Sequence, residues 1–274
     1  MTTIDTPTLL RELPPLPEES LADRLRWNVA DTLTVTKRNL THLARLPQLL
    51  VFATIQPVMF VLLFTFVFGG AIDTPGDYID YLMPGIFVQT VTFGATQTGV
   101  GLAEDLGKGL IERFRTLPMA RSAVLAGRTL SDLLRNTMVV TLMVVVGVLV
   151  GFSPAGGVTG VLGAAAVVLL FSFAFSWVAA LVGLTANDAE TAQTMMFPLM
   201  FPLVFASSAF VPTDSMPDWL RVWADNQPVT RTVDAARALT QGTATSGDVV
   251  PALLWAALIV AVFAPLAIRR YRRT

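Results

Sequence analysis

The chain has no cysteine and a single histidine in 274 residues. Disulfides, thiolate metal sites and cysteine nucleophiles are therefore excluded. His42 alone cannot assemble a metal site and reads as a polar residue near a membrane surface. Charge is scarce too: 14% of residues are Asp, Glu, Lys or Arg, against about a quarter in soluble domains. Hydrophobic residues make up 53%, and the mean hydropathy is +0.62. This is the composition of a membrane protein. A phosphate-binding loop is also missing. Gly107-Lys108 comes nearest, but Gly101 stands one place too early and Gly109 occupies the position of the required Ser or Thr.

A transmembrane helix needs about 20 mostly apolar residues. Six runs qualify, at 49–70, 81–103, 136–152, 158–186, 191–211 and 249–268, and none contains Asp, Glu, Lys or Arg. The third is short and is expected to extend backwards as a helix through 122–135, in the cytoplasmic headgroup region. Carriers coupled to protons or sodium normally place an ionisable group within a span. No such group, inverted repeat or nucleophile–base set is found, and Ser207-Ser208 reads as helix packing. Uphill movement would have to be driven by another chain.

Sixteen of the nineteen basic residues fall in the N-terminal segment, the 2–3 connection and the C-terminus, which places both termini in the cytoplasm. Arg221, Arg231 and Arg237 share the loop at 212–248, the one sizeable extracellular element. That loop carries two short helical patterns, at 217–224 with Trp219 and Trp223 and at 228–239. Residues 1–19, with four prolines and no apolar core, read as a disordered cytoplasmic tail rather than a signal peptide. Residues 20–46 read as an amphipathic helix lying in the interface, with Leu21, Leu25, Val29 and Leu33 recurring every four residues.

The most informative segment is EDLGKGLIERFRTLP, residues 104–118, a charged and helix-prone island between two apolar runs. A tight turn would suffice to join two spans, so this segment reads as a surface for a soluble partner. Span 2 is unusually polar, with Gln89, Thr90, Thr92, Thr96, Gln97 and Thr98, and Pro84-Gly85 is expected to kink it. Span 5 carries Pro198 and Pro202 among Met195, Met196, Phe197, Met200, Phe201 and Phe205, an adaptable apolar surface. Spans 2 and 5 read either as packing helices or as the lining of a path.

Four stretches are similar to one known family: QPVMFVLLFTFVFGG (56–70), YLMPGIFVQT (81–90), the block 101–136 and DNQPVT (225–230). They resemble the daunorubicin-resistance type of permease, of the type-2 class of ABC exporters, from about Thr36 onward. The resemblance implies an all-α integral membrane fold. It has six transmembrane helices, an N-terminal interfacial connecting helix (20–46), a cytoplasmic coupling helix between spans 2 and 3, and short re-entrant helices between spans 5 and 6. Residues 47–274 would form the permease domain. It implies a homodimer resting on two copies of an ABC ATP-binding subunit, with ATP and Mg bound by that partner and no cofactor or catalytic residue in this chain. Membrane lipid and a hydrophobic or amphiphilic small molecule are the other expected partners; nucleic acid is not. Glu104, Asp105, Leu110, Glu112, Arg113, Phe114 and Arg115 would contact the ATPase. Gln89, Thr92, Phe93, Thr96 and Gln97 of span 2 would line the path with the Met and Phe residues of span 5. A polysaccharide or glycolipid exporter, and a non-transporting immunity or signalling protein, stay open as alternatives.

The orientation is testable directly, because a chain without cysteine accepts single reporters. Cysteines at Thr3 and Thr274 should resist an impermeant thiol reagent in intact cells, and one at Thr243 should label. Labelling at Thr274 but not at Thr243 would reverse the assignment.

Overall fold

The computed structural model describes residues 30–37, 41, 47–72, 74, 76–109 and 121–273, and no strand occurs among them. Helix α1 covers 30–37. It is followed by α2 (Pro47–Leu63), which runs into a π-turn at Phe64–Phe68, then α3 (Tyr78–Gly94), α4 (Thr96–Gly107) and α5 (Arg121–Val150). The remaining helices are α6 (Gly157–Thr185), α7 (Ala189–Phe205), α8 (Asp218–Asn226), α9 (Pro228–Gln241) and α10 (Ser246–Arg273). The tail at 1–19 and most of the 20–46 helix lie outside the described residues.

Among the described residues three helices are long and apolar enough to cross a membrane: Ala126–Val150, Gly157–Thr185 and Ser246–Tyr271. The central one is α6, which packs against α4, α5, α9 and α10. Of its most apolar stretch 56% is buried within the chain, against 28% for α5 and 22% for α10, so α6 is the post and the other two present faces outward. Small residues let backbones meet there, as expected where no hydrophobic effect drives helices together. A Cβ on Gly183 would lie 2.2 Å from the Gly99 carbonyl oxygen, and one on Gly160 would lie 2.3 Å from that of Leu239. α4 and α9 therefore touch α6 backbone to backbone.

The ends follow local chemistry. Asp188 caps α7 by accepting the Thr191 N–H at 2.6 Å, and that bond holds its carboxyl below the usual carboxylate range. At α10, Asp248 accepts from both the backbone and the hydroxyl of Thr245, at 2.9 and 2.7 Å. α9 starts with Pro228 after the capping Gln227 and stops at Gly242, whose φ of 72° suits a residue without a side chain.

Two expectations about boundaries change. Run 81–103 is not one helix: the interruption falls at Ala95, and α3 continues through Pro84. Run 191–211 holds helix only to Phe205, after which 206–211 turns back. Irregular backbone in a bilayer must have its polar groups satisfied by protein, and side chains supply that here. Gln227 Nε2 donates to the Leu203 carbonyl at 2.8 Å, Tyr78 Oη to that of Phe210 at 2.9 Å, and Tyr81 Oη to that of Ser208 at 3.0 Å. Arg237 completes the turn. It donates to the carbonyls of Ser208 at 2.7 Å and Tyr81 at 3.1 Å, pairs with Asp234 at 3.0 Å, and lies 3.6 Å from the centre of the Tyr81 ring. Gly85 makes room for the turn, since a Cβ there would overlap the Ala209 carbonyl.

In α1, Val35 and Thr36 are buried while Leu33 is exposed. The face that packs within the chain thus lies beside the anticipated stripe, whose members Leu21, Leu25 and Val29 lie outside the described residues. Thr36 Oγ1 donates to the Gly127 carbonyl at 3.2 Å, joining α1 to α5.

Candidate functional site

The break at Ala95 generates the most distinctive chemistry of the chain. Thr98 N–H donates to the Ala95 carbonyl at 2.9 Å, a tight turn rather than an α-helical bond. The carbonyl of Gly94 is taken instead by a side chain, Arg135 Nη2 of α5, at 2.7 Å. A cation thereby caps the C-terminus of α3. Arg135 is itself neutralised by Asp132 at 3.3 Å, with both side chains about nine-tenths buried, and Asp132 accepts the Thr98 hydroxyl. Asn136 continues the network across to α6 by donating to Ser172 Oγ at 2.6 Å.

Two turns nearer the charged island, Arg128 repeats the motif. Its guanidinium pairs with Asp105 at 3.0 Å and donates to the Gln97 carbonyl at 3.3 Å. It rests on Gly101, where any side chain would overlap it. Arg128, Asp132 and Arg135 share one stripe of α5 at i, i+4 and i+7, and together they grip Gly94, Gln97, Thr98 and Asp105 over the break and α4. This clamp flanks the charged island on both sides, since α4 ends at Gly107 and α5 begins at Arg121.

The anticipated partner-contact residues divide accordingly. Leu110, Glu112, Arg113, Phe114 and Arg115 lie outside the described residues. Glu104 is exposed and paired with Lys108 at 3.0 Å. Asp105 faces inward, in the ion pair with Arg128.

The anticipated path residues form two sets. Gln89, Thr92, Met196 and Met200 are buried inside the chain. Thr92 turns its hydroxyl back onto the Val88 carbonyl at 2.6 Å, and Thr96 donates to Met200 Sδ at 3.2 Å, joining α4 to α7. Phe93 is half-buried against the core. Among the anticipated path residues Gln89 stands apart, because its Oε1 is buried with no hydrogen-bond partner from the protein. The second set faces outward: Gln97, Met195, Phe197 and Phe201 are exposed. Phe197, Phe201 and Phe205 stack in sequence at 5.3 and 4.3 Å between ring centres. The ladder continues through Phe210 to Phe64 and Phe68, at 5.3, 4.6 and 5.2 Å. The first set is packed within the chain and the second lies on its surface.

Sequence reasoning missed Arg128, Asp132, Arg135, Arg237 and the α2 half of the aromatic ladder, in which Phe60 stacks on Phe64 at 5.8 Å and Phe64 meets Phe68. The ladder had a readable signal, phenylalanine at every fourth position. The clamp residues had one too, a charged stripe at i, i+4 and i+7 directly before an apolar run.

An all-helical chain with membrane-length helices, a broken polar helix and a buried ionic clamp beside a charged connection has the layout of a membrane transport subunit. The chain belongs to the ABC-2 type transporter family, whose pattern matches residues 30–240. It is 38% identical to the daunorubicin resistance ABC transporter permease protein DrrB1 of Streptomyces coeruleorubidus over 245 residues, 89% of this chain and 87% of that one. It is 29% identical to the probable doxorubicin resistance permease DrrC of Mycobacterium tuberculosis over 269 residues, 96% of this chain and 95% of the other. A putative transport permease of Cyanophora paradoxa, ycf38, is 24% identical over 225 residues.

The clamp makes an energetic prediction. Asp132→Ala leaves a nearly buried guanidinium without its counter-charge, which typically costs about 3–5 kcal/mol. Asp132→Asn can still accept from Thr98 and should lose less. Glu104→Ala, in an exposed pair, should stay within about 0.5 kcal/mol. Thermal melting of the purified protein in detergent reads the order; equal loss in Asp132→Ala and Glu104→Ala would show that the pair does not hold the break.

Proposed function

We propose that this chain is the transmembrane subunit of an ATP-driven exporter for hydrophobic or amphiphilic molecules, working as a pair on two ATP-binding subunits. Family membership and the drug-resistance permeases among its relatives support the transport role and the class of cargo. Six crossings follow if α2 with its π-turn, the α3–α4 pair and α7 join the three long helices. α8 and α9 then become the re-entrant pair, with Trp219 and Trp223 exposed at the interface. Both termini and residues 104–120 face the cytoplasm. ATP and Mg belong to the partner, and this chain contributes binding, orientation and movement.

The observation that carries the mechanism is the clamp. From α5, the Arg128–Asp105 ion pair holds α4 and Arg135, charge-balanced by Asp132 of its own helix, holds the Gly94 carbonyl at the end of α3, while the partner-facing segment joins α4 to α5. A push on that segment by the ATPase is delivered to α3, α4 and α5 together, and the break at Ala95 is where the polar helix can yield. Gln89 lies above that break. Its unpaired carbonyl is a polar acceptor kept against a desolvation penalty of about 1–3 kcal/mol, and it is available to a cargo headgroup once α3 moves. The Phe ladder on α7 and α2 offers the apolar, sequence-tolerant surface that such cargo requires.

Charge reversal on the segment tests this reading. Glu112→Arg and Arg115→Glu should abolish co-purification of the ATPase or uncouple hydrolysis from export, consistent with about 2–5 kcal/mol for truncating one partner of a buried charged contact. Membrane insertion should be unaffected. In the same assay Gln89→Leu should raise the melting temperature while reducing export of amphiphiles with polar heads. Normal export by both reversal variants would make the segment a plain surface loop.

A further inference from the structure

α8, α9 and α10 frame a groove of about 420 Å3 lined by Asn226, Arg231, Pro251, Leu254, Trp255 and Leu258. Its two sides differ in chemistry. The α8–α9 corner supplies the amide of Asn226 and the guanidinium of Arg231, and the α10 side is apolar. Leu254 and Leu258 are 64% and 52% exposed and one turn apart, on a helix long and apolar enough to cross a membrane. Pro251 to Leu258 covers about 10 Å of helix axis, the length of a partial acyl chain.

Arg231 is the unmatched element of this surface. The carboxylates near it in sequence are engaged elsewhere. Asp225 pairs with Arg221 at 3.7 Å, and Asp234 pairs with Arg237 at 3.0 Å while accepting from Ser208 Oγ at 2.7 Å. Among the described residues no carboxylate pairs with Arg231. A guanidinium beside a lipid-facing wall calls for an anion, and its planar fork matches phosphate geometry. Asn226 Nδ2 donates one N–H to the Val222 carbonyl at 2.8 Å, which leaves the second for an ester or phosphate oxygen.

From these placements we infer that the groove holds one anionic phospholipid, with its phosphate on Arg231 and Asn226 and an acyl chain along Leu254, Trp255 and Leu258. The lipid ties α9, which carries the Arg237 lock, to α10. The inference rests on the chain lying in a bilayer and not on what it exports or which leaflet the loop faces.

The test uses the full-length protein, solubilised in a non-ionic detergent with equimolar dioleoyl-phosphatidylglycerol and dioleoyl-phosphatidylcholine, with retained lipids counted by native mass spectrometry. Arginines 269, 270, 272 and 273 attract anionic headgroups regardless, so the readout is the difference between variants of unchanged melting temperature. Arg231→Gln should weaken retention of one phosphatidylglycerol per chain about fivefold, the factor equivalent to about 1 kcal/mol for one basic side chain. Leu254→Trp fills the groove while leaving Arg231 in place and should lose the same lipid, so the inference remains testable if Arg231→Gln misfolds. Soluble glycerol phosphate should not displace the lipid from the unaltered protein. Unchanged retention in both variants would overturn the inference, and displacement by glycerol phosphate would assign the groove to free phosphate instead. A failed export assay with intact lipid retention would count against the transport reading alone.

Discussion

The structure depends on one local event, the helix break at Ala95. Breaking a helix in a low-dielectric setting strands a carbonyl, and an unsatisfied backbone group there costs several kcal/mol. Here the Gly94 carbonyl is capped by Arg135, and the cap brings its own requirement, a counter-ion. Asp132 supplies it one turn away and is in turn fixed by Thr98, on the far side of the break. The need for that cap explains why α5 begins well before its apolar run. Without the extension carrying Arg128, Asp132 and Arg135, the polar helix could not be both broken and held.

The same helix is gripped at its other end by different chemistry. Arg237 holds the Tyr81 carbonyl and ring, and Tyr78 and Tyr81 hold the returning backbone at 206–211. α3 is thus held by a cation at each end, and past the break α4 packs on α6 through Gly99 and Gly183, so the stretch from Tyr81 to Gly94 lies between the two grips. Gln89 stands in that stretch with its unpaired oxygen. Both cations sit against backbone carbonyls and counter-charges, so each can be released by moving its neighbour as a body, with no side chain exposed alone to lipid.

Much of this was legible in the sequence. The run 158–186 corresponds to α6 within a residue at each end, because Gly157 and the Asn187-Asp188 pair are strong boundaries. The backward extension of the third run and the two loop helices could also be read. The end of the fifth run could not. Ser207 to Phe210 is apolar enough to count as span, and its turn depends on Gln227 and Arg237, which arrive from a later segment. The ionic clamp was hidden for a related reason. Each apolar run is free of charge within its own limits, whereas Asp132 and Arg135 enter from the adjoining segment of a neighbouring helix. Ala95 itself carries no signal, since neither Gly94 nor the threonines around it set a break without the Arg135 cap. Family resemblance supplied the expectation of an all-helical membrane fold and of an ATP-binding partner; the physical arrangement that would connect partner to path came from the packing.

The central claim is that α4 and α5 move as one body. Asp105→Cys and Arg128→Cys in this otherwise cysteine-free chain can be joined by a short bis-maleimide, replacing the ion pair with a covalent strut. In proteoliposomes with the partner ATPase, the cross-linked protein should retain the ATP-driven export of the uncross-linked double variant. Loss of export on cross-linking, restored by a cleavable linker of the same length after cleavage, would show that the two helices must separate and would contradict the account.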